Sequence, residues 1–251
     1  MTHIGPAKGK TAPLQLSTDG PSRFLVGLSW APKDGRKRKK IEVPHLKDEN
    51  GNYDNLYFLK LPVYIGQVLV QGIVGLLPQK AAAPKSENAA NPSDGHDLDL
   101  YCYIFDRNMQ LYQVIGPKVG VLIDPSQKIY HSGENQQGKQ GNDAEQIFVE
   151  TRGLPPDYHN FIFVVKSANS NAMSDIPEGI IRLADSASNT NALENHIAEK
   201  AQPPANSFGY VFCCVTREGD QWAFRNIDSF TGRTVDWSLM LPAIEWTKSA
   251  G

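Results

Sequence analysis

Short runs of aromatic and β-branched residues, each bounded by glycine, proline, asparagine or aspartate, constrain the fold of this chain more than any other feature. Residues of these types fit the pleated surface of a strand, and the bounding residues favour turns. Eight such runs lie at residues 24–30, 98–105, 119–123, 146–150, 160–166, 179–183, 209–216 and 221–226. Many short strands with turn signals between them indicate a sandwich or barrel. We therefore predict an all-β protein built as a two-sheet β-sandwich.

Two further segments refine this prediction. Residues 191–201 have a helical composition and end before Pro203 and Pro204, so we predict one short helix there. Residues 216–220, Thr-Arg-Glu-Gly-Asp, lie between two predicted strands and favour a hairpin loop.

One predicted strand lies near the N-terminus, and the others follow residue 95. The sandwich domain is therefore predicted to comprise 22–30 and 96–245, with an N-terminal arm, 1–21, and a tail, 246–251. Residues 31–95 form an insertion with an apolar block at 56–77. A gap of this length between two strands is unusual for a plain loop, so we expect the insertion to carry structure of its own.

The overall composition is that of a globular protein. The 251 residues are 40% hydrophobic and 21% charged, and the formal net charge is −2. This balance gives no general attraction to nucleic acid. The basic run 36–40 has no interleaved aromatic residues that could stack on bases, so we expect no nucleic-acid partner.

The cysteines point to a reducing compartment. Cys102, Cys213 and Cys214 show no CxxC spacing, and neighbouring residues on an extended strand point to opposite faces. Residues 1–14 contain no apolar segment of the kind found in a secretory signal. Free thiols without a signal segment predict a cytoplasmic protein.

An uncharged stretch, 61–79, approaches the length of a membrane-spanning helix. It contains Pro62 and several glycines, and Gln67 and Gln71 would share one face of any helix. This one-sided polar stripe favours contact with a domain or a protein partner over spanning. Peripheral membrane binding through 36–40 and 61–77 is kept as a third functional alternative.

Acidic residues concentrate in two places. Asp97 and Asp99 lie two residues apart at the start of a predicted strand, and Asp106 ends that strand. The loop 132–145 is rich in glycine and in oxygen-bearing side chains, namely Glu134, Asn135, Asn142, Asp143 and Glu145. Calcium prefers six to eight hard oxygen ligands, which carboxylates, amides and backbone carbonyls supply. The order of an EF-hand is absent, and a solvated acidic loop is the alternative interpretation.

Seven motifs follow one another along the chain. They are Phe-Leu-Val-Gly-Leu-Ser-Trp at 24–30, Asp-Leu-Asp-Leu at 97–100, Ile-Phe-Asp at 104–106, His-Ser-Gly-Glu-Asn at 131–135, Gly-Asn-Asp-Ala-Glu-Gln-Ile at 141–147, Phe-Ile-Phe-Val-Val at 161–165 and Gly-Asp-Gln-Trp-Ala-Phe-Arg at 219–225. In this order they resemble the TerD family, the tellurium-resistance and stress-response group of calcium-binding β-sandwich proteins. The resemblance covers about two-thirds of the chain. It implies a TerD-type sandwich with calcium at two neighbouring positions.

The resemblance also implies the ligands. The residues that fall on the family's ligand-bearing motifs are Asp97, Asp99, Asn135, Asp143 and Glu145. This chain departs from the family's usual motifs, because Glu134 replaces an aspartate, Ala144 replaces a carboxylate and Gly141 stands where an aspartate is common. Fewer anionic ligands weaken calcium binding, so one or two weakened sites are expected.

No pattern predicts catalysis. The six histidines and three cysteines lack zinc-ligand spacing, and neither a phosphate-binding loop nor a nucleophile elbow occurs. We therefore expect a calcium-binding scaffolding or regulatory component of a stress or tellurite-resistance system, not an enzyme. The alternative is a structural assembly subunit without a functional ion. In both cases protein partners or self-association would involve 31–95 and the C-terminal tail.

Overall fold

The computed structural model describes residues 4–18, 22–31, 96–118, 120–133, 143–169, 171–176, 178–198, 202–233 and 235–243. The predicted insertion therefore lies outside the described residues beyond Ala31, as does the tail 246–251. The domain boundaries stay predictions for this reason.

The described part of the chain forms two antiparallel sheets, as predicted. Its strands are β1 (Thr11–Pro13), β2 (Arg23–Trp30), β3 (Leu98–Phe105), β4 (Leu111–Ile115), β5 (Ile129–His131), β6 (Glu145–Glu150), β7 (Asn160–Ser167), β8 (Gly179–Asp185), β9 (Asn191–His196), β10 (Gly209–Glu218) and β11 (Gln221–Thr231). One sheet has the order β1-β11-β10-β7-β3-β4, and the other has the order β5-β6-β2-β8-β9.

The core lies between the two sheets. From β2, the alternating residues Phe24, Val26, Leu28 and Trp30 face it, as the two-residue period of a strand requires. Phe24 meets Phe161 and Phe163 of the opposite sheet edge to face, with centroid distances of 6.5 and 6.2 Å. Such aromatic pairs add to the apolar area that holds the sheets together.

The six-stranded sheet is also apolar on its outer face. Every residue of β3 is buried, because Leu98, Leu100, Cys102 and Ile104 face the core while Tyr101, Tyr103 and Phe105 join a second cluster outside. Helix α1 (Trp237–Ala243) contributes to this second cluster through Leu241, with Trp237 and Met240 against it. This two-sided burial explains the continuous apolar run at 98–105.

Two local predictions were wrong. The segment predicted as a helix at 191–201 contains β9, because its pairing with β8 outweighs the helix propensity of its alanine, leucine and glutamate. The strand predicted at 119–123 is replaced by isolated bridges at Val121 and Ile123, and the strand in this region is β4. The hairpin predicted at 216–220 is confirmed, with Glu218 paired to Gln221.

The three cysteines are buried free thiols, as expected. Within the described ranges, no helix has the length and apolar character that crossing a membrane requires. The uncharged stretch 61–79 lies outside those ranges.

Candidate acidic site at one end of the sandwich

Asp97 and Asp99 share one lysine. Lys118 Nζ lies 3.0 Å from Asp99 Oδ2 and 3.7 Å from Asp97 Oδ2. The Tyr101 hydroxyl also donates a hydrogen bond of 3.1 Å to Asp99 Oδ2. The Asp99 side chain is 3% exposed, whereas that of Lys118 is 41% exposed. The two carboxylates therefore do lie on one side of the start of β3, and a positive charge approaches them from the solvent.

A second lysine faces Asp99 from the neighbouring strand. Lys166 of β7 is the register partner of Asp99. Its Nζ lies 4.1 Å from the centroid of the Tyr101 ring, 5.0 Å from that of Tyr103 and 5.3 Å from that of Trp237. Burial lowers the pKa of Lys166 to about 8, and the negative charge of Asp99 partly offsets this. The aromatic faces and Asp99 together stabilise the buried ammonium group.

Glu145, the first residue of β6, is fully buried and also lies beside the start of β3. Its Oε2 accepts a 2.8 Å hydrogen bond from the backbone N–H of Leu100. His131 Nε2 lies 3.3 Å from the same oxygen, a close contact without good hydrogen-bond alignment. Because His131 Nδ1 accepts a 2.9 Å hydrogen bond from the N–H of Gly133, the ring proton of the neutral histidine is assigned to Nε2, facing Glu145.

Asp143 is held by an arginine. Arg182 Nε donates to Asp143 Oδ1 at 2.9 Å, and Arg182 Nη2 donates to Oδ2, which is the bidentate geometry of a guanidinium–carboxylate pair. Gln146 Nε2 donates to the same carboxylate at 2.8 Å. The remaining arm of Arg182, Nη1, donates to Asn189 and Asn191 at 2.9 Å each. The pair with Asp143 raises the pKa of Arg182 still further.

Gly27 makes room for this pair. Gly27 of β2 stands opposite Arg182 on one side and Gln146 on the other. A Cβ atom at Gly27 would lie 2.3 Å from the carboxyl carbon of Asp143. The absence of a side chain at this position therefore lets the ion pair lie across the middle of β2.

The structure does not bring Asp106 to this cluster. Asp106 follows the other end of β3, about 25 Å away along an eight-residue strand. Its Oδ1 accepts hydrogen bonds of 2.8 Å from the backbone N–H groups of Asn108 and Gln110, which fixes the turn into β4. Asp106 therefore lies apart from Asp97 and Asp99, and its place among the candidate calcium ligands stays a prediction. Glu134 and Asn135 lie outside the described residues.

The described residues do not fit a calcium ion by themselves. In the described ranges, no group of three or more His, Cys, Asp or Glu side chains is arranged to hold a metal ion. The ammonium group of Lys118 contacts both Asp97 and Asp99, and Arg182 neutralises Asp143. The ammonium groups of Lys118 and Lys166 would repel a divalent ion beside Asp99, unless one of these side chains moved away.

Sequence reasoning missed the basic half of the site. Lys118, Lys166 and Arg182 lie far along the chain from the carboxylates that they face, and no local motif links them. Only strand register places Lys166 opposite Asp99 and Arg182 opposite Gly27. The acidic half was visible because its members cluster within short segments.

A separate feature is an apolar edge. The exposed large apolar side chains of the described residues are Leu111, Tyr112 and Val121, with 41%, 54% and 41% of their surface accessible. They lie on β4, the edge strand of the six-stranded sheet, and in the loop that follows it. Strand β4, Leu-Tyr-Gln-Val-Ile, carries no charge. Edge strands commonly carry charges that discourage association, and this one lacks that protection.

The comparisons with known proteins agree with this architecture. A family model described as the TerD domain matches residues 88–234. The chain is similar to the crystal structure of a homologue of telluride resistance protein (TerD), SCO6318 from Streptomyces coelicolor A3(2), with 16% identity, a TM-score of 0.50, and coverage of 91% of this chain and 98% of the other. A second structure, the protein of unknown function SAV2460, gives 13% identity, a TM-score of 0.49, and coverage of 85% and 91%. No curated protein matches the chain.

Proposed function

The chain belongs to the TerD domain family, and from this membership and its geometry we propose that it is a non-catalytic, self-associating scaffold in a tellurite-resistance or stress-response system. The observation that carries the proposal is the concentration of exposed Leu111, Tyr112 and Val121 along the uncharged edge strand β4. Exposed apolar groups gathered at one place on a soluble fold mark contact surfaces. We propose the cytoplasm as the compartment, which the three buried free thiols support.

The acidic site supports a role without catalysis. A general acid donates a proton to a bound substrate and a general base takes one from it, so either group has to reach the substrate. Glu145 is fully buried against the Leu100 N–H and His131, and Arg182 holds Asp143. These contacts fit groups that hold the sandwich together.

Sedimentation velocity over a concentration series tests the self-association. We expect the full chain to form dimers or larger species as concentration rises. Tyr112→Glu places a charge on the apolar edge and should shift the protein towards monomer. Gln221→Glu adds the same charge at an exposed position of β11 and should leave the distribution unchanged.

Deletion of 53–80 in the same experiment separates the edge from the predicted insertion as the contact surface. A full chain that stays monomeric throughout the series contradicts the proposal. Equal association of Tyr112→Glu and the unchanged chain moves the contact away from β4, and loss of association on deletion then assigns it to the insertion.

Calcium binding is the second candidate function. It is favoured by the convergence of Asp97 and Asp99 on a single cation, with Asp143 and Glu145 at the end of the predicted ligand loop 132–145. Any ion on the aspartate pair would compete with Lys118, so binding should be weak. Calorimetric titration of chelator-treated protein measures it, and the absence of heat up to millimolar calcium would leave the scaffold proposal without an ion.

A further inference from the structure

Lys118 contacts two carboxylates at the start of β3 at once. We infer that Lys118 is a built-in counter-ion that occupies the place between Asp97 and Asp99 where a bound cation would sit, so that these two carboxylates need no metal for charge compensation. The inference concerns the second candidate function and is independent of the scaffold proposal.

The contact geometry of Lys118 supports the inference. One ammonium group lies 3.0 Å from an oxygen of Asp99 and 3.7 Å from an oxygen of Asp97. A nearly buried carboxylate such as Asp99 requires a partner charge or hydrogen bonds to stay ionised. Lys118 and the Tyr101 hydroxyl supply both.

The charges around Asp97 and Asp99 also support the inference. Asp97 and Asp99 bring two negative charges, and Lys118 and Lys166 bring two positive charges within the same cluster. A divalent cation between the two aspartates would add its charge to those of Lys118 and Lys166 beside buried aromatic rings, which is unfavourable where solvent screening is weak.

The chemistry of the Lys118 side chain also supports the inference. A lysine carries a compact charge on a flexible four-carbon stem, unlike the planar fork of arginine. The Lys118 side chain is 41% exposed and reaches Asp99 from the solvent side. It therefore fills the position of a small cation and is the group whose removal should open that position.

Terbium luminescence gives a direct test, because Tyr101 lies next to the position in question. Terbium ions take the oxygen ligands that calcium takes, and a tyrosine in contact with the site transfers excitation to a bound ion. The experiment uses the full chain after chelator treatment and follows tyrosine-excited terbium emission for the unchanged protein, Lys118→Met and Lys128→Met. Lys128 forms an ion pair with Glu150 on another part of the surface and is the matched control.

We expect Lys118→Met to raise the emission several-fold at a fixed terbium concentration, and Lys128→Met to leave it unchanged. Adding Asp97→Asn to Lys118→Met should remove the gain, which locates the ion. Emission from Lys118→Met equal to that of the unchanged protein overturns the inference, as does a gain that survives Asp97→Asn.

Lys118→Gln provides a second variant should Lys118→Met not fold. It keeps a polar side chain but removes the charge, and the same gain is expected from it. None of these outcomes depends on self-association, so the failure of this inference and the failure of the scaffold proposal are distinguishable.

Discussion

Two ion pairs at the acidic end of the sandwich hold their carboxylates in different ways. Arg182 grips Asp143 with two nitrogens, and its third nitrogen is engaged by two asparagines, so the guanidinium is fixed on every side. Lys118 reaches Asp97 and Asp99 as a single, half-exposed ammonium group. The first pair lies across the five-stranded sheet with both side chains largely buried, whereas the lysine of the second pair is 41% exposed.

The surroundings reinforce this difference. The Asp143–Arg182 pair depends on the missing side chain at Gly27, a position fixed inside β2 between two neighbours. Lys118 comes from a turn after β4, and the aspartates it contacts also face Lys166. Loss of Arg182 therefore leaves a buried charge unpaired, whereas loss of Lys118 leaves Asp99 with a second cation.

The largest expected effect comes from removing the fixed cation. Arg182→Met should lower the free energy of unfolding by about 3 kcal/mol, because Asp143 becomes a buried and uncompensated charge. Urea denaturation measures the change. The free energy of unfolding of Arg182→Lys should lie between those of Arg182→Met and the unchanged protein. Adding Asp143→Asn should recover part of the loss. A loss below about 1 kcal/mol would place this pair among ordinary surface pairs.

A smaller effect is expected from closing the gap beneath the pair. Gly27→Ala introduces a Cβ into the space of the Asp143 carboxylate and should cost about 1–3 kcal/mol through forced displacement. Gly232→Ala is the control, since no heavy atom lies within 4 Å of its added Cβ. The cost should shrink in the Arg182→Met background, and full additivity in urea denaturation would contradict the proposed link between Gly27 and the pair.

Asp106 provides a further comparison, because its carboxylate binds backbone N–H groups of a turn. Asp106→Ala removes two hydrogen bonds from the turn into β4 and should cost about 1 kcal/mol in a thermal or urea unfolding experiment. It should leave terbium emission from Lys118→Met unchanged. A drop in that emission would show that Asp106 contributes to ion binding beside Asp97 and Asp99.

The smallest expected effect is a change in pH dependence. Because burial lowers the pKa of Lys166 from 10.5 to about 8, the unfolded chain holds this proton between about pH 8 and pH 10 while the folded protein has lost it. The contribution of Lys166 to the free energy of unfolding should therefore rise with pH across that window. Above about pH 10 the trend should reverse, because burial raises the pKa of Tyr101 and Tyr103 in the folded protein.

Lys166→Met should remove the rise between pH 8 and pH 10 in a series of urea denaturations. The groups that face Lys166 are Asp99, Tyr101, Tyr103 and Trp237, and none of them is altered in this variant. An unchanged rise would assign the pH dependence to another group.

The sequence was informative where structure is local. The runs at 24–30, 98–105 and 160–166 predicted β2, β3 and β7, because residue type and turn signals suffice for strands buried in a sheet. The segment at 191–196 misled, since the edge pairing of β9 with β8 overrides its helical composition. The carboxylates of the site were likewise visible as clusters.

The basic partners were not visible because strand register alone decides which distant residues meet. Nothing near Asp99 in the sequence identifies Lys166, and nothing near Asp143 identifies Arg182. Lys166 lies on the strand next to that of Asp99, and Arg182 lies on β8, two strands from β6, which Asp143 precedes. The acidic motifs predicted a calcium site, which stays a prediction, and they gave no information about which cations the chain itself places beside these carboxylates.

Thermal unfolding of chelator-treated full chain, with and without calcium, tests most directly whether the chain's own cations complete the acidic end. We expect cooperative unfolding in the presence of chelator and a melting temperature that changes little up to about 1 mM calcium, because a weakly bound ion stabilises the folded state little by mass action. A chain that is unfolded in chelator, or whose melting temperature climbs steeply with micromolar calcium, would contradict it.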